Sequence, residues 1–189
     1  SKFDIENGIF RISRNETNRR LDYNLTNMKK ELIDFLLFDG EELIELDIAN
    51  AQFAILSYII QDLDTEFIKL SQEGNLYKLI SKKEMFRVAF DKVKKEQDNV
   101  RNIFPKTMKF IDNYKKENSY KMFSNLLQNT ESLIMIDNLL NKLINKGYDV
   151  FPIHDAIRVK KSQSNEVKLF IEEFFREINF KCLLRDKNL

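Results

Sequence analysis

Apolar and polar positions change period several times along the chain, and each change predicts an element. FRISR, residues 10–14, alternates and predicts a short strand. Asn24 to Leu37 turns apolar at helical spacing, with Thr26 or Asn27 as N-cap. After the Asp39-Gly40 turn, EELIELDI is a β-rich run that ends on Asp47. Gln52 to Ile60 and Thr65 to Gln72 read as helices separated by the polar QDLD. Leu76 to Asn102 reads as one long, basic, amphipathic helix, broken by Phe104-Pro105, and Thr107 to Glu117 as the next. Tyr120 to Lys146 is a long helical pattern built on Phe123, Leu126, Leu127, Ile134, Leu139 and Leu143, with Gly147 placed as its C-cap. YDVFPIHDAIRVKK gives two β-like runs meeting at His154-Asp155, a hairpin with a polar tip. Asn165 to Ile178 is amphipathic and FKCLL suits a last strand. The prediction is α+β: one domain over residues 1–189, with a small antiparallel sheet backed by helices.

Composition narrows this picture. Only 4 Gly and 2 Pro, with 43% hydrophobic residues, argue against both a turn-rich sandwich and a disordered chain. No apolar run approaches the ~20 residues of a membrane span, and SKFDIENGIF lacks the basic and apolar regions of a signal peptide. A single Cys182 excludes an internal disulfide framework and suits a reducing cytosol. The net charge of +1 hides a strong asymmetry. Residues 31–77 carry 11 acidic and 1 basic side chain, a balance of −10, whereas residues 78–121 carry 13 basic and 6 acidic, a balance of +7. Solvated helix faces explain such blocks most simply; a cation-binding region beside a polyanion-binding one explains them too.

Two strands each present an Asp where the apolar run stops, LIELDIA at Asp47 and VFPIHDAI at Asp155. Either alone reads as a turn residue or an N-cap. Their neighbourhoods carry more information. RISRNETNRRLDYNLTN, ELIELDIANAQFAIL, GNLYKLISKKEMFRVAFDKV, IFPKTMKFI, SNLLQNTESLIMI and FPIHDAI resemble, in this order, successive segments of the family A (bacterial DNA polymerase I-like) polymerases. They look like the segment before motif A, motif A, the fingers helix of motif B, the stretch after the fingers, the Gln-containing helix before motif C, and the motif C hairpin. The resemblance spans nearly the whole chain.

That resemblance implies a palm-like sheet with a short basic fingers element at about residues 76–118. It implies template-directed transfer of dNMP to a primer 3′-hydroxyl. Phosphoryl transfer of this kind uses two divalent ions ~4 Å apart on shared carboxylates. Asp47 and Asp155 would hold two Mg²⁺ (Mn²⁺ being an alternative), with the Ile48 carbonyl as a further ligand. Lys78, Lys82, Phe86 and Phe90, spaced four apart, would lie along one helix face toward the incoming nucleotide. Gln52 would approach its sugar, standing where DNA-synthesising members have a Glu. Arg11 and Arg14 would meet the primer–template backbone, and Gln128 and His154 the primer terminus. A thumb would come from a protein partner or from further segments. His154 is the only histidine, so neither a multi-histidine metal cluster nor a phosphohydrolase built on one can be assembled. Ala156 stands where an acidic residue usually follows the motif C Asp, and Lys78 stands for an Arg. These departures keep open a palm-derived nucleic-acid- or nucleotide-binding protein without turnover, an RNA-synthesising variant, and an interaction domain in which the two Asp lie far apart.

Overall fold

The structure, a computed structural model, describes residues 6–93 and 99–187. It is mixed α+β with antiparallel sheets. Strands β1 (Ile12–Arg14) and β2 (Leu21–Tyr23) form a two-stranded ribbon. A five-stranded sheet contains β3 (Leu37–Phe38), β4 (Glu41–Ile48), β5 (Val150–Ile153), β6 (Ala156–Lys160) and β7 (Leu184–Asp186). Its order is β3-β4-β6-β5, and β7 also pairs with β4. The Asp39-Gly40 dipeptide, with both residues at positive φ (51° and 79°), makes the tight turn between β3 and β4.

Strand β4 organises the molecule. Ile44, Leu46 and Ile48 are 2%, 0% and 1% exposed and face a helical layer. Glu45 and Asp47, on the alternate positions, face the other side of the sheet. A one-residue slip of register would exchange the two sets, so burying three large aliphatics at ~1.5–3 kcal/mol each fixes which face carries the acids. On its other edge β4 pairs with β6, placing Glu45 opposite Arg158 and Asp47 opposite Ala156. Helix α1 (Lys30–Ile33) sits on the acid-bearing side, its Ile33 carbonyl accepting from Arg158. The helical layer comprises α2 (Ala51–Ile59), α3 (Thr65–Gln72), α4 (Leu76–Leu79), α5 (Lys82–Phe90), α6 (Asn99–Ile103), α7 (Pro105–Asn118), α8 (Tyr120–Ser132), α9 (Asn141–Asn145) and α10 (Ser164–Glu177). Phe53, Phe67, Phe104 and Phe123, each 0% exposed, form its centre.

Three helical expectations are corrected. Residues 24–29 form turns instead of opening a helix, and only α1 is helical. The polar side chains there bond locally to the backbone: Thr26 Oγ1 accepts from the Tyr23 N–H at 2.8 Å, and the Asn27 amide donates to the Tyr23 carbonyl. The stretch 76–102 is not one helix. It stops at α4, Ile80 is extended, and α5 restarts on Ser81, whose hydroxyl accepts from the Glu84 N–H at 3.2 Å. Ser81-Lys-Lys-Glu84 is a capping-box pattern, a start signal inside the presumed helix. Residues 94–98 of that expected helix lie outside the described residues. The 120–146 helix is continuous, but Leu133–Leu140 is wound as a π-helix between α8 and α9. Among the described residues no helix is long and apolar enough to cross a membrane.

Candidate active site

Asp47, near the end of β4, and Asp155, in the β5–β6 turn, lie near enough for the charge of one to act on the other. Asp155 is the second residue of the two-residue turn between β5 and β6, and the Ile48 N–H donates to the Asp155 carbonyl at 3.2 Å. With Ala156 opposite Asp47, the second carboxylate comes from the turn residue just before the cross-strand partner of Asp47. Both border one cavity of about 350 Å³, together with Ile48, Asn50, Gln52, Tyr77, Lys82 and Phe86. Of the ten residues expected at the site besides the two acids, five lie here: Ile48, Gln52, Lys82, Phe86 and His154. The first four line this cavity, and His154 borders an adjoining recess of about 270 Å³ that Asp47 and Asp155 share.

Electrostatics set the two acids apart from ordinary surface carboxylates. Burial raises the pKa of Asp47, an effect that a hydrogen bond from Lys187 opposes and the charge of Asp155 reinforces. Burial likewise raises Asp155. A buried carboxylate pair that resists ionisation is short of positive charge. The Lys187 ammonium lies 2.9 Å from Asp47 Oδ2, and no lysine or arginine among the described residues pairs with Asp155. Among the described residues no group of three or more His, Cys, Asp and Glu side chains is placed to hold a metal. Two hard carboxylate donors at the rim of an open cavity fit a cation such as Mg²⁺, which keeps several waters, better than Zn²⁺, which needs a closed nitrogen- or sulfur-rich shell.

The helical layer supplies the other walls. Lys82 is the first residue of α5 and Phe86 lies one turn on; the Lys82 ammonium sits 5.3 Å from the Phe86 ring centroid and 6.0 Å from that of Tyr77. Asn50 precedes α2 at φ 53°, is 7% exposed, and leaves both amide atoms buried without a partner beside the cavity. Gln52 gives its Nε2 to Glu131 Oε2. Glu131, on α8 and 1% exposed, also receives Arg20 at 2.7 Å, yet burial pushes its pKa up to about 7. Gly74 lets the α3–α4 turn close against the site. A Cβ there would stand 2.7 Å from the Ala49 Cβ, and its carbonyl accepts from Arg185 at 2.6 Å.

Other expected site residues are elsewhere. Lys78 belongs to α4 and borders a separate recess with Glu66, Leu70 and Asn75, because the break at Ile80 takes it off the face of Lys82. Phe90 packs among Phe53, Phe86 and Phe123 and is a core aromatic. Arg14 grips Asp137 of the π-helix with two hydrogen bonds of 2.5 and 2.8 Å, which commits its guanidinium to holding the β1–β2 ribbon in place. The Arg11 N–H donates to Asn24 Oδ1 in that same ribbon. Gln128 precedes Glu131 by one turn of α8 and is not among the cavity-lining residues. His154 sits at φ 56°, has a buried Nδ1 without a partner, and is held below its ordinary pKa by burial and by Arg20. Cys182 is half-buried and its thiol is pushed up to about 12 by burial, which fits a structural residue. Sequence reasoning missed Asn50, Tyr77, Glu131, Arg185 and Lys187. The last two depend on β7 pairing with β4, a register with no local signature. No protein-family model matches the chain, and no curated protein matches it.

Proposed function

We propose that the chain is a palm-type nucleotidyltransferase that adds dNMP to a primer 3′-hydroxyl under the direction of a template. The observation that supports this most is the convergence of Asp47 and Asp155 on one cavity that Lys82, Phe86 and Gln52 also line. A divalent metal on such carboxylates lowers the pKa of an attacking hydroxyl and neutralises the charge of the transferred phosphate. Asp47, Asp155 and the Ile48 carbonyl would supply its protein ligands. Lys82 meets the triphosphate as a compact cation. Phe86 offers a ring face to the base or sugar, backed by Phe53 at 5.9 Å. Gln52 is fixed by Glu131, so its amide forms a rigid wall where the sugar lies. A partner or further segments complete the grip on the primer–template.

A second reading, a palm-derived binding protein without turnover, is favoured by one observation: Lys187 already occupies Asp47. Primer extension on a labelled primer–template with Mg²⁺ separates the two. Incorporation by the wild-type chain that disappears in Asp47→Ala and Asp155→Ala supports the polymerase. Template binding with no incorporation by any of them supports the second reading. Running dNTPs and NTPs side by side decides the sugar, and faster use of NTPs would overturn DNA synthesis.

A further inference from the structure

Lys187 follows β7 directly, and its N–H donates to the Glu45 carbonyl at 3.1 Å. Its ammonium lies 2.9 Å from Asp47 Oδ2 and 2.9 Å from Glu45 Oε1. The second anchor decides its character. A lysine on one exposed carboxylate is a loosely held point charge. Glu45, however, is 6% exposed and is locked by Arg158 at 2.6 and 2.9 Å. The ammonium is therefore held between two carboxylates of β4 at the rim that Asp47 and Asp155 share, and Lys187 borders both recesses there.

Charge and donor count point the same way. Arg158 balances Glu45. Asp47 and Asp155 leave two negative charges, and Lys187 removes one. For these side chains alone a single divalent ion brings the balance to +1 and a second to +3; Lys82 in the same cavity and Arg20 add further positive charge at Asp155. The position opposite Asp47 is Ala156, which adds a methyl group and no donor. One Asp47 oxygen is engaged by an ammonium, while Asp155 forms no ion pair among the described residues and feels Lys187, Arg20 and Lys82 only through space.

We propose that Lys187 is a built-in cation beside Asp47, so that the site takes one divalent ion, held by Asp155 and the remaining Asp47 oxygen, in place of the two expected from the sequence. This rests on reading Asp47 and Asp155 as a cation-binding pair. The ammonium supplies from the protein the positive charge that a second ion would bring, and it stays when the metal leaves.

The test counts ions directly. Mn²⁺ is titrated into the full chain and free Mn²⁺ is read by electron paramagnetic resonance, with circular dichroism confirming that each variant is folded. The wild-type chain binds one Mn²⁺, Lys187→Arg keeps one, and Lys187→Met, which retains the stem without the charge, binds two. Asp155→Asn weakens binding at least ~10-fold. A Lys187→Met chain that holds one Mn²⁺, or a wild-type chain that holds two, overturns the role of Lys187 and leaves the carboxylate pair standing. Absence of Mn²⁺ binding from both wild type and Lys187→Met overturns the pair and this inference with it.

Discussion

Glu45 and Asp47 are two residues apart on β4 and point to the same side of the sheet, yet their surroundings are opposite in kind. Glu45 is saturated. Although burial opposes its ionisation, hydrogen bonds from Lys187 and Arg158 bring its pKa below the ordinary carboxylate value. Arg158 extends the network to Asp34 at 2.6 Å and to the Ile33 carbonyl at 3.2 Å. Asp47 has one cationic partner, a second acid beside it, and a raised pKa. A fold that can satisfy one buried acid fully leaves the next one short of charge at the cavity mouth. Buried charge that is paired holds structure together, while buried charge left short is where a ligand is expected to complete the site.

The comparison breaks most sharply on activity. Asp155→Ala is expected to lower metal-dependent incorporation by ~10³-fold or more, because metal-borne charge stabilisation is worth several kcal/mol. The same change should leave Tm unchanged or raise it by a few degrees, since it removes a carboxylate whose burial is only partly compensated. Primer extension and a thermal melt on the same preparation check both. A large fall in Tm would mean that Asp155 is structural.

On the saturated side the expected loss is stability. Arg158 is 2% exposed, and Arg158→Ala strands Glu45 with only Lys187 as a partner. Breaking a buried pair from one side costs about 3–5 kcal/mol, readable as a lower urea midpoint. A loss below ~1 kcal/mol would show that the network is not the clamp described.

The acids also differ in the sign of their pH dependence. Glu45 has a lowered pKa when folded, so its contribution is complete above the unfolded carboxylate value and is lost as pH falls through the folded one. Glu131 runs the other way. Its folded pKa of about 7 lies above the ordinary 4.5, so the folded state binds the proton more tightly. Stability should decline as pH rises between those values, by on the order of 3 kcal/mol at most. Urea unfolding at pH 5, 6, 7 and 8 should lose that slope in Glu131→Gln, and an unchanged slope would assign it to another group.

Much of the frame was legible in the sequence, and the reasons are local. EELIELDI is a strand in the expected bounds because its apolar run leaves few alternatives. Asp-Gly fixes the turn before it, and the polar dipeptide His154-Asp155 marks the hairpin that delivers the second acid. Thr26 and Asn27 misled because their side chains bond to their own turn instead of capping a helix. Lys78 misled because four-residue spacing was extended across Ser81, whose cap begins a new helix. Lys187 and Glu131 could not be read at all. One is placed by pairing with a strand about 140 residues away, and the other by a helix docking under Gln52. The smallest effect tests this directly: Lys78→Ala should change incorporation less than ~2-fold and stability less than ~0.5 kcal/mol, as for an ordinary surface position, whereas Lys82→Ala should impair nucleotide use.

The central claim is that Asp47 and Asp155 act as one grip. A double-mutant cycle on Mg²⁺ affinity, read by calorimetry for Asp47→Asn, Asp155→Asn and the pair, measures that coupling. Each single change should abolish nearly as much binding as both together. Losses that simply add, or binding that survives in the double variant, would contradict it.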